Sequence, residues 1–384
     1  MNLRSAKTKG YLLLSLMLLP VLSFSRGGIP GPSGPGSVSE VAAMHIVRAS
    51  QSSTLLPNGK VLIAGGFAGS GGEYNPYRTT ELYDPGSGTF ELAASMSIGR
   101  SGHTATLLKN GKVLMVGGWT GRYDIRRSAE LYDPATNAFA PTGDLVVERA
   151  GSTAALLADG RVLIAGGEDR GENALASAEI YDPAAGKFTL TGSMAEPRGA
   201  HTATALRDGR VLIVGGGSGH YPSQNVYRSA EFYDPATGKF TLTGEMSVGR
   251  HKHAAILLRS GRVLIVGGSD NRDWHGEYAS AEIYDPAAGA FTPTGVMKTT
   301  RFKLPSAVAL LPNGKVLVAG GGPFAELYDE TTGTFAMVPG SLGAARFFAS
   351  ATLLPGGKAL IAGGYAESGG SLPATSVAWL YQPR

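Results

Sequence analysis

Three short stretches of this sequence carry its greatest chemical variety. The first holds Trp119, Arg122 and Tyr123, with Asp124, Arg126 and Arg127 close behind. The second holds His220 and Tyr221, followed by Gln224 and Tyr227. The third holds Trp274, His275 and Tyr278, preceded by Asp270, Asn271, Arg272 and Asp273. An aromatic face stacks on a flat or C–H-rich ligand while polar neighbours fix its orientation. The mixture therefore suits a sugar, or the hot spot of a peptide or protein contact. Trp119, Arg122, Tyr123, His220, Tyr221, Trp274, His275 and Tyr278 form the candidate ligand-binding set.

Two other constellations recur at regular intervals. His103, His201 and His253 occupy one position of a repeated unit, where the other repeats have Gln51, Ser152, Ser306 and Ala349. Three imidazoles are a possible metal set, but only His201 and His253 stand in neighbouring repeats. A hydrogen-bonding role is expected, with no metal and no cofactor. Arg48, Arg100, Arg149, Arg198, Arg250, Arg301 and Arg346 also recur, as do Glu81, Glu130, Glu179, Glu231, Glu282 and Glu326. In five repeats the glutamate precedes the next arginine by 19 residues and in the sixth by 20. Charges near a core need partners, so structural pairs at that spacing are expected. Trp379 stands where a seventh glutamate would, and Arg48 is expected to stack on it. No nucleophile–base or paired-carboxylate signature rises above this background, so no catalytic residue is assigned.

The elements that position these residues follow from the repeat. An apolar run ending in Gly-Gly recurs seven times, with first glycines at Gly65, Gly117, Gly166, Gly215, Gly267, Gly320 and Gly363. In the third copy, Ser152 to Leu157 reads as a strand, Ala158-Asp159-Gly160-Arg161 as a tight turn, and Val162 to Ala165 as a strand buried on both faces. Ala178 to Asp182 and Phe188 to Gly192 supply two more strands. Asn58-Gly59, Asn110-Gly111, Asp159-Gly160, Asp208-Gly209 and Asn313-Gly314 mark the first hairpin, for which type I′ turns are expected. The Asp-Pro turns, such as Asp234-Pro235, lack the alternating acidic ligands of a calcium loop and read as structural.

Gly-Gly, then Tyr, then an aromatic seven residues later resembles the Kelch repeat. The pairs are Tyr83/Phe90, Tyr132/Phe139, Tyr181/Phe188, Tyr233/Phe240, Tyr284/Phe291 and Tyr328/Phe335. Kelch repeats usually have Trp at the second position, and this chain has Phe throughout. The resemblance spans roughly residues 37–384 and implies an all-β, seven-bladed β-propeller with one four-stranded blade per repeat. Propellers host unrelated activities, so the fold does not name the function. Exported Kelch propellers resemble the central domain of galactose oxidase, whose copper-radical chemistry needs a cysteine cross-linked to tyrosine. This chain has no cysteine, so a copper oxidase is not expected, and disulfides are excluded. A sialic-acid epimerase also uses the fold, which keeps a carbohydrate-active or small-molecule isomerase or lyase as the alternative to a binding module.

The chain ends complete the picture. Ala378 to Gln382 matches a third strand, and the missing fourth matches Gly36 to Arg48, which aligns without gaps on Gly186 to Arg198. The N-terminal strand is expected to close the last blade. Residues 1–25, with Arg4, Lys7, Lys9 and an apolar run to Phe24, read as a signal peptide, and residues 26–36 as a flexible Gly/Pro-rich lead. Removing the three basic residues of that signal leaves 31 basic against 30 acidic side chains, so nucleic-acid binding is not expected. The expectation is a secreted or periplasmic monomer with no membrane span after cleavage. It would bind a glycan, peptide or protein through the loops that follow Gly-Gly.

Overall fold

The computed structural model describes residues 34–68, 74–122, 124–220, 223–367 and 373–384. Seven four-stranded antiparallel sheets follow one another along them. Their inner strands are Ser52–Leu55, Thr104–Leu107, Thr153–Leu156, Thr202–Ala205, Ala254–Leu257, Val308–Leu310 and Ser350–Leu353. Each inner strand packs beside the next, and the seventh beside the first, which closes a ring around a central channel. The second strands, such as Val162–Ala165, are buried along their whole length, as their unbroken apolar sequence requires.

The hairpins between first and second strands correct one expectation. In the third blade the Gly160 N–H donates to the Leu157 carbonyl and the Leu157 N–H to the Arg161 carbonyl. Gly160 has φ +96°, while Asp159 is not left-handed. This is a tight turn followed by a left-handed glycine, not a type I′ turn. Asp159 earns its place by accepting the Arg161 N–H on its side chain at 2.9 Å.

Neighbouring blades are joined by the Tyr/Phe pairs. Tyr181 and Phe188 lie 4.7 Å apart and pack with Leu114 and Val116 of the preceding blade. Phe fills the interblade space where a Kelch repeat usually has Trp. The tyrosine hydroxyls reach back as well: Thr142–Tyr181 is 2.8 Å and Thr191–Tyr233 is 2.9 Å.

The last blade closes as expected. Ser37–Glu40 pairs with Ala378–Gln382, and Val38 opposes Tyr381 as Phe188 opposes Tyr181. Val38 is buried among Leu317, Leu327 and Tyr381.

The arginine pairing differs from the expectation. Six of the seven arginines bond the glutamate of the blade that follows, not the one before. Arg100–Glu130 is 3.1 Å and Arg149–Glu179 2.9 Å, both pairs buried. Arg48 is no exception, since it meets Glu81 at 2.9 Å. It is Arg346 that lies over Trp379. The arginine sits in the link that crosses to the next blade, so its side chain faces that blade's third strand. These six paired guanidinium groups also donate to a Gly-Gly carbonyl, as Arg149 does to Gly166 at 2.8 Å. The pair therefore pins the corner from which the variable loop departs.

Candidate functional site

Two residues past each junction arginine, the backbone turns into the inner strand through a left-handed conformation. Ser50, Gly102, Gly151, Ala200, Lys252, Lys303 and Phe348 all have φ between +52° and +59°. Five of the seven are not glycine, although that conformation is unfavourable for them. Several are linked head to tail around the channel: the Ser50 N–H donates to Phe348, Gly102 to Ser50, Gly151 to Gly102 and Lys252 to Ala200. The chain therefore presents selected side chains at a rim that sterics alone would fill with glycine.

A second tier stands beside this rim. The residue after Gly-Gly bridges the residue after each arginine, as in Ala49↔Phe67, Ser101↔Trp119, Ala150↔Glu168 and Phe347↔Tyr365. The two tiers frame a cavity of about 830 Å³ at the channel mouth. Phe67, Tyr74, Trp119 and Phe348 form an aromatic arc on one side of it, and Glu168 and Lys252 supply charge. Ser50, Ser52, Ser53, Ser152, Thr153, Ser306 and Ser350 line it with hydroxyls. Trp119 explains two of the glycines. A Cβ on Gly102 or Gly151 would stand 2.2 or 3.1 Å from its ring.

The Glu168 main-chain carbonyl accepts the Ala150 N–H at 3.0 Å, while no described residue donates a hydrogen bond to its carboxylate. Burial, then the nearby Glu172 carboxylate, raises its pKa above the ordinary value. Across the mouth, Asp273 gathers three bases: Lys252 Nζ at 2.7 Å, His251 Nε2 at 3.6 Å and Lys303 Nζ at 4.0 Å. Lys303 lies 3.6 Å from the Trp274 ring centre. Its burial, with Lys252 alongside, lowers its pKa to about 7. Trp274 also meets Phe302 and Phe347 edge-on at 4.9 and 5.0 Å. The fifth blade's loop thus reaches across the sixth blade, whose own loop is short.

The histidines hydrogen-bond between blades, as expected. His103, His201 and His253 hold Ser52, Thr153 and Thr202 of the preceding blades at 2.9, 2.8 and 3.0 Å. Burial lowers His103 and His201 to about 3, which keeps both neutral. Leu304, not Ser306, takes the corresponding space at the sixth blade: it approaches Gly267 as His253 approaches Gly215. Among the described residues, no three His, Cys, Asp or Glu side chains gather closely enough to hold an ion.

The candidate set is dispersed. Trp119 and Arg122 line the cavity. Trp274 is packed beneath Lys303, and His275 is exposed on the same turn. His220 meets Glu172 at 3.4 Å. Tyr278 is not at the mouth: it lies over the Arg250 guanidinium at 5.1 Å, as Tyr227 lies over Arg198. Tyr123 and Tyr221 fall outside the described residues. Phe67, Glu168, Lys252 and Phe348 were missed because each occupies a regular position of the repeat, and Tyr74 because it stands in the first blade's loop, apart from the three loops singled out. Alignment of the residue two past each arginine exposes the signal, since bulky side chains there replace glycine.

Fold and rim define a seven-bladed propeller with a chemically varied channel mouth. The sequence model of the KLHDC2/KLHL20/DRC7 Kelch-repeats domain matches residues 102–321, and that of the Kelch motif matches residues 48–97. The chain belongs to the Kelch-repeat family. No curated protein sequence matches it. Among solved structures it is similar to a fungal alcohol oxidase of the AA5 family in complex with copper. That match has 16% identity over 91% of this chain and 76% of the other, with a TM-score of 0.69. It is also similar to YjhT, at 15% identity over 64% of this chain and 84% of the other, with a TM-score of 0.55. At such identities the likeness concerns the fold.

Proposed function

We propose that the protein is a binding module that takes a small sugar, free or at the end of a glycan, into the mouth of its central channel. The observation that carries this reading is the cavity of about 830 Å³, with an aromatic arc on one side and a wall of hydroxyls below. Aromatic faces stack on sugar C–H groups while hydroxyls and a carboxylate exchange hydrogen bonds with the ring substituents. Kelch propellers commonly serve as interaction modules, which fits this use. A peptide or protein ligand would press on the loop tips and leave the hydroxyl-lined depth unused, so it ranks second. Isothermal titration calorimetry against a panel of sugars and of peptides tests the proposal. Sugar binding that Trp119→Ala abolishes supports it, and binding of peptides alone overturns it.

Glu168 favours one further reading, an isomerase or lyase. A carboxyl with a raised pKa in a substrate-sized cavity suits proton transfer to and from a sugar carbon. Conversion of a bound sugar, followed by NMR and lost in Glu168→Gln, would establish it.

We also propose export. Residues 1–25, which lie outside the described residues, would act as a signal peptide, and residues 26–36 as the lead into the first described strand. Among the described residues no helix is long and apolar enough to cross a membrane. Mass spectrometry of the N-terminus of secreted material, with cleavage after Ser25 expected, is the check. Light scattering of that material tests the monomer.

A further inference from the structure

Among the described residues that line the cavity, Glu168 is the only carboxylate. Its side chain leans over Gly199, where a Cβ would stand 3.0 Å from Oε1. The nearby bases are already engaged. Lys252 is bonded to Asp273 at 2.7 Å, and His220 faces Glu172 at 3.4 Å. Arg122, the third charged residue of the lining, is exposed on the second blade's hairpin. Glu168 therefore stands at the cavity wall as a carboxylate that no described donor satisfies, and such a group is costly to keep ionised.

The aromatic arc starts at the adjoining position. The Trp119 ring covers Gly102 and Gly151, and Ala150, the neighbour of Gly151, bridges Glu168. Phe67 and Tyr74, 5.2 Å apart, continue the arc, and the Tyr74 hydroxyl bonds Ser101, the bridge partner of Trp119. Ring faces carry negative potential and attract cations, more strongly where water is excluded. A carboxylate adds charge-assisted hydrogen bonds that a neutral hydroxyl cannot match.

We propose that the sugar taken at the channel mouth carries a free amine, held as an ammonium between the Glu168 carboxylate and the arc led by Trp119. This rests on the sugar reading above and names the class within it. The amine satisfies Glu168, the sugar ring lies on the indole, and the remaining hydroxyls face the serines below.

Calorimetry on the full-length protein decides it, with D-glucosamine and D-galactosamine set beside their neutral parents and their N-acetyl derivatives. One amino sugar is expected to bind about tenfold more tightly than its neutral counterparts, the scale of one charge-assisted contact. Glu168→Gln should reduce that preference to about threefold or less. A melting curve confirms that the variant folds. The wild-type preference should also fade in acid as Glu168 takes up a proton. Asp169 and Glu172 promote that protonation, and Lys252 and His220 oppose it. The preference should fade again in alkali, as the amine loses its proton. Equal binding of amino and neutral sugars, or a preference that survives Glu168→Gln, overturns the inference. If a neutral sugar binds best and Trp119→Ala abolishes it, the amine is wrong and the sugar reading stands. If none of these sugars binds the folded wild type, both fall.

Discussion

The Arg346 guanidinium lies 5.2 Å from the centre of the Trp379 ring, at the position where the other six junction arginines meet a glutamate. Arg346 is half-buried, whereas the other six are fully buried. The seventh junction thus substitutes ring volume and a cation–π contact for a buried ion pair.

Restoring the repeat's glutamate there should weaken the protein. Trp379 is buried in one cluster with Val38, Leu317 and Tyr381, so Trp379→Glu opens a cavity and buries a carboxylate. A loss of about 3 kcal/mol or more is expected from the cavity alone. Thermal unfolding followed by circular dichroism is the measurement. A melting temperature at or above wild type would mean that the junction needs a carboxylate and not a ring.

The closing strand gives a contrast between adjacent residues. Val38 is 6% exposed, while Ser39 points to solvent. Val38→Asp should cost about 3 kcal/mol, and Ser39→Asp less than about 0.5 kcal/mol. Chemical denaturation of both variants tests this, and equal effects would argue against closure by this strand.

The two loop tryptophans should separate binding from stability. Trp119→Ala removes a half-exposed ring from the cavity wall, so sugar binding should fall about tenfold or more with the melting temperature nearly unchanged. Trp274→Ala removes the contacts to Phe302, Phe347 and Lys303 and should cost about 2 kcal/mol of stability. Melting curves and calorimetry on both variants read the difference. A Trp274→Ala protein with full stability would show that the fifth blade's loop is held by something else.

Lys303 predicts a pH dependence. Its pKa is lowered to about 7 in the folded protein, mainly by burial. Between that value and the ordinary lysine pKa, the unfolded chain binds more protons. Stability from this residue therefore rises as pH climbs above 7, and below 7 the buried charge is a full burden. Lys303→Met should be more stable than wild type at pH 6, by about 1–3 kcal/mol, with the gap closing toward pH 10. Asp273 keeps its 2.7 Å partner Lys252 in that variant. Urea titrations across this range decide, since a constant gap would mean that Lys303 titrates normally.

The architecture was legible because the repeat states it many times over. Gly-Gly, Asp-Gly and the Tyr/Phe pair each fix a different point of the same blade, and Gly36 to Arg48 could be placed by matching the strand it replaces. The direction of the arginine pairs was not legible. A spacing of 19 residues back and one of about 30 forward are both in the chain, and only the path of the interblade link says which glutamate the side chain faces. The candidate site was read half-way for a related reason. Long loops advertise themselves, which drew attention to Trp119 but also to Tyr278, whose ring covers Arg250. Glu168 and Lys252 are single substitutions at regular positions, and their meaning appears only when the left-handed rim and its bridges are seen in three dimensions.

The pairing of Ser37–Glu40 with Ala378–Gln382 also sets a schedule. Those partners are the first and last strands of the described chain, so the seventh sheet cannot be completed until Ala378–Gln382 has been made. Until then the first strand waits with open hydrogen-bonding edges, and six sheets form on local hairpins while the ring stays unsealed. Contacts at such sequence separation come slowly, because a loop running from Glu40 to Ala378 must close before they repay its entropy. The protein should therefore show a fast phase of blade formation and a late, concerted sealing step, with aggregation risk concentrated between them.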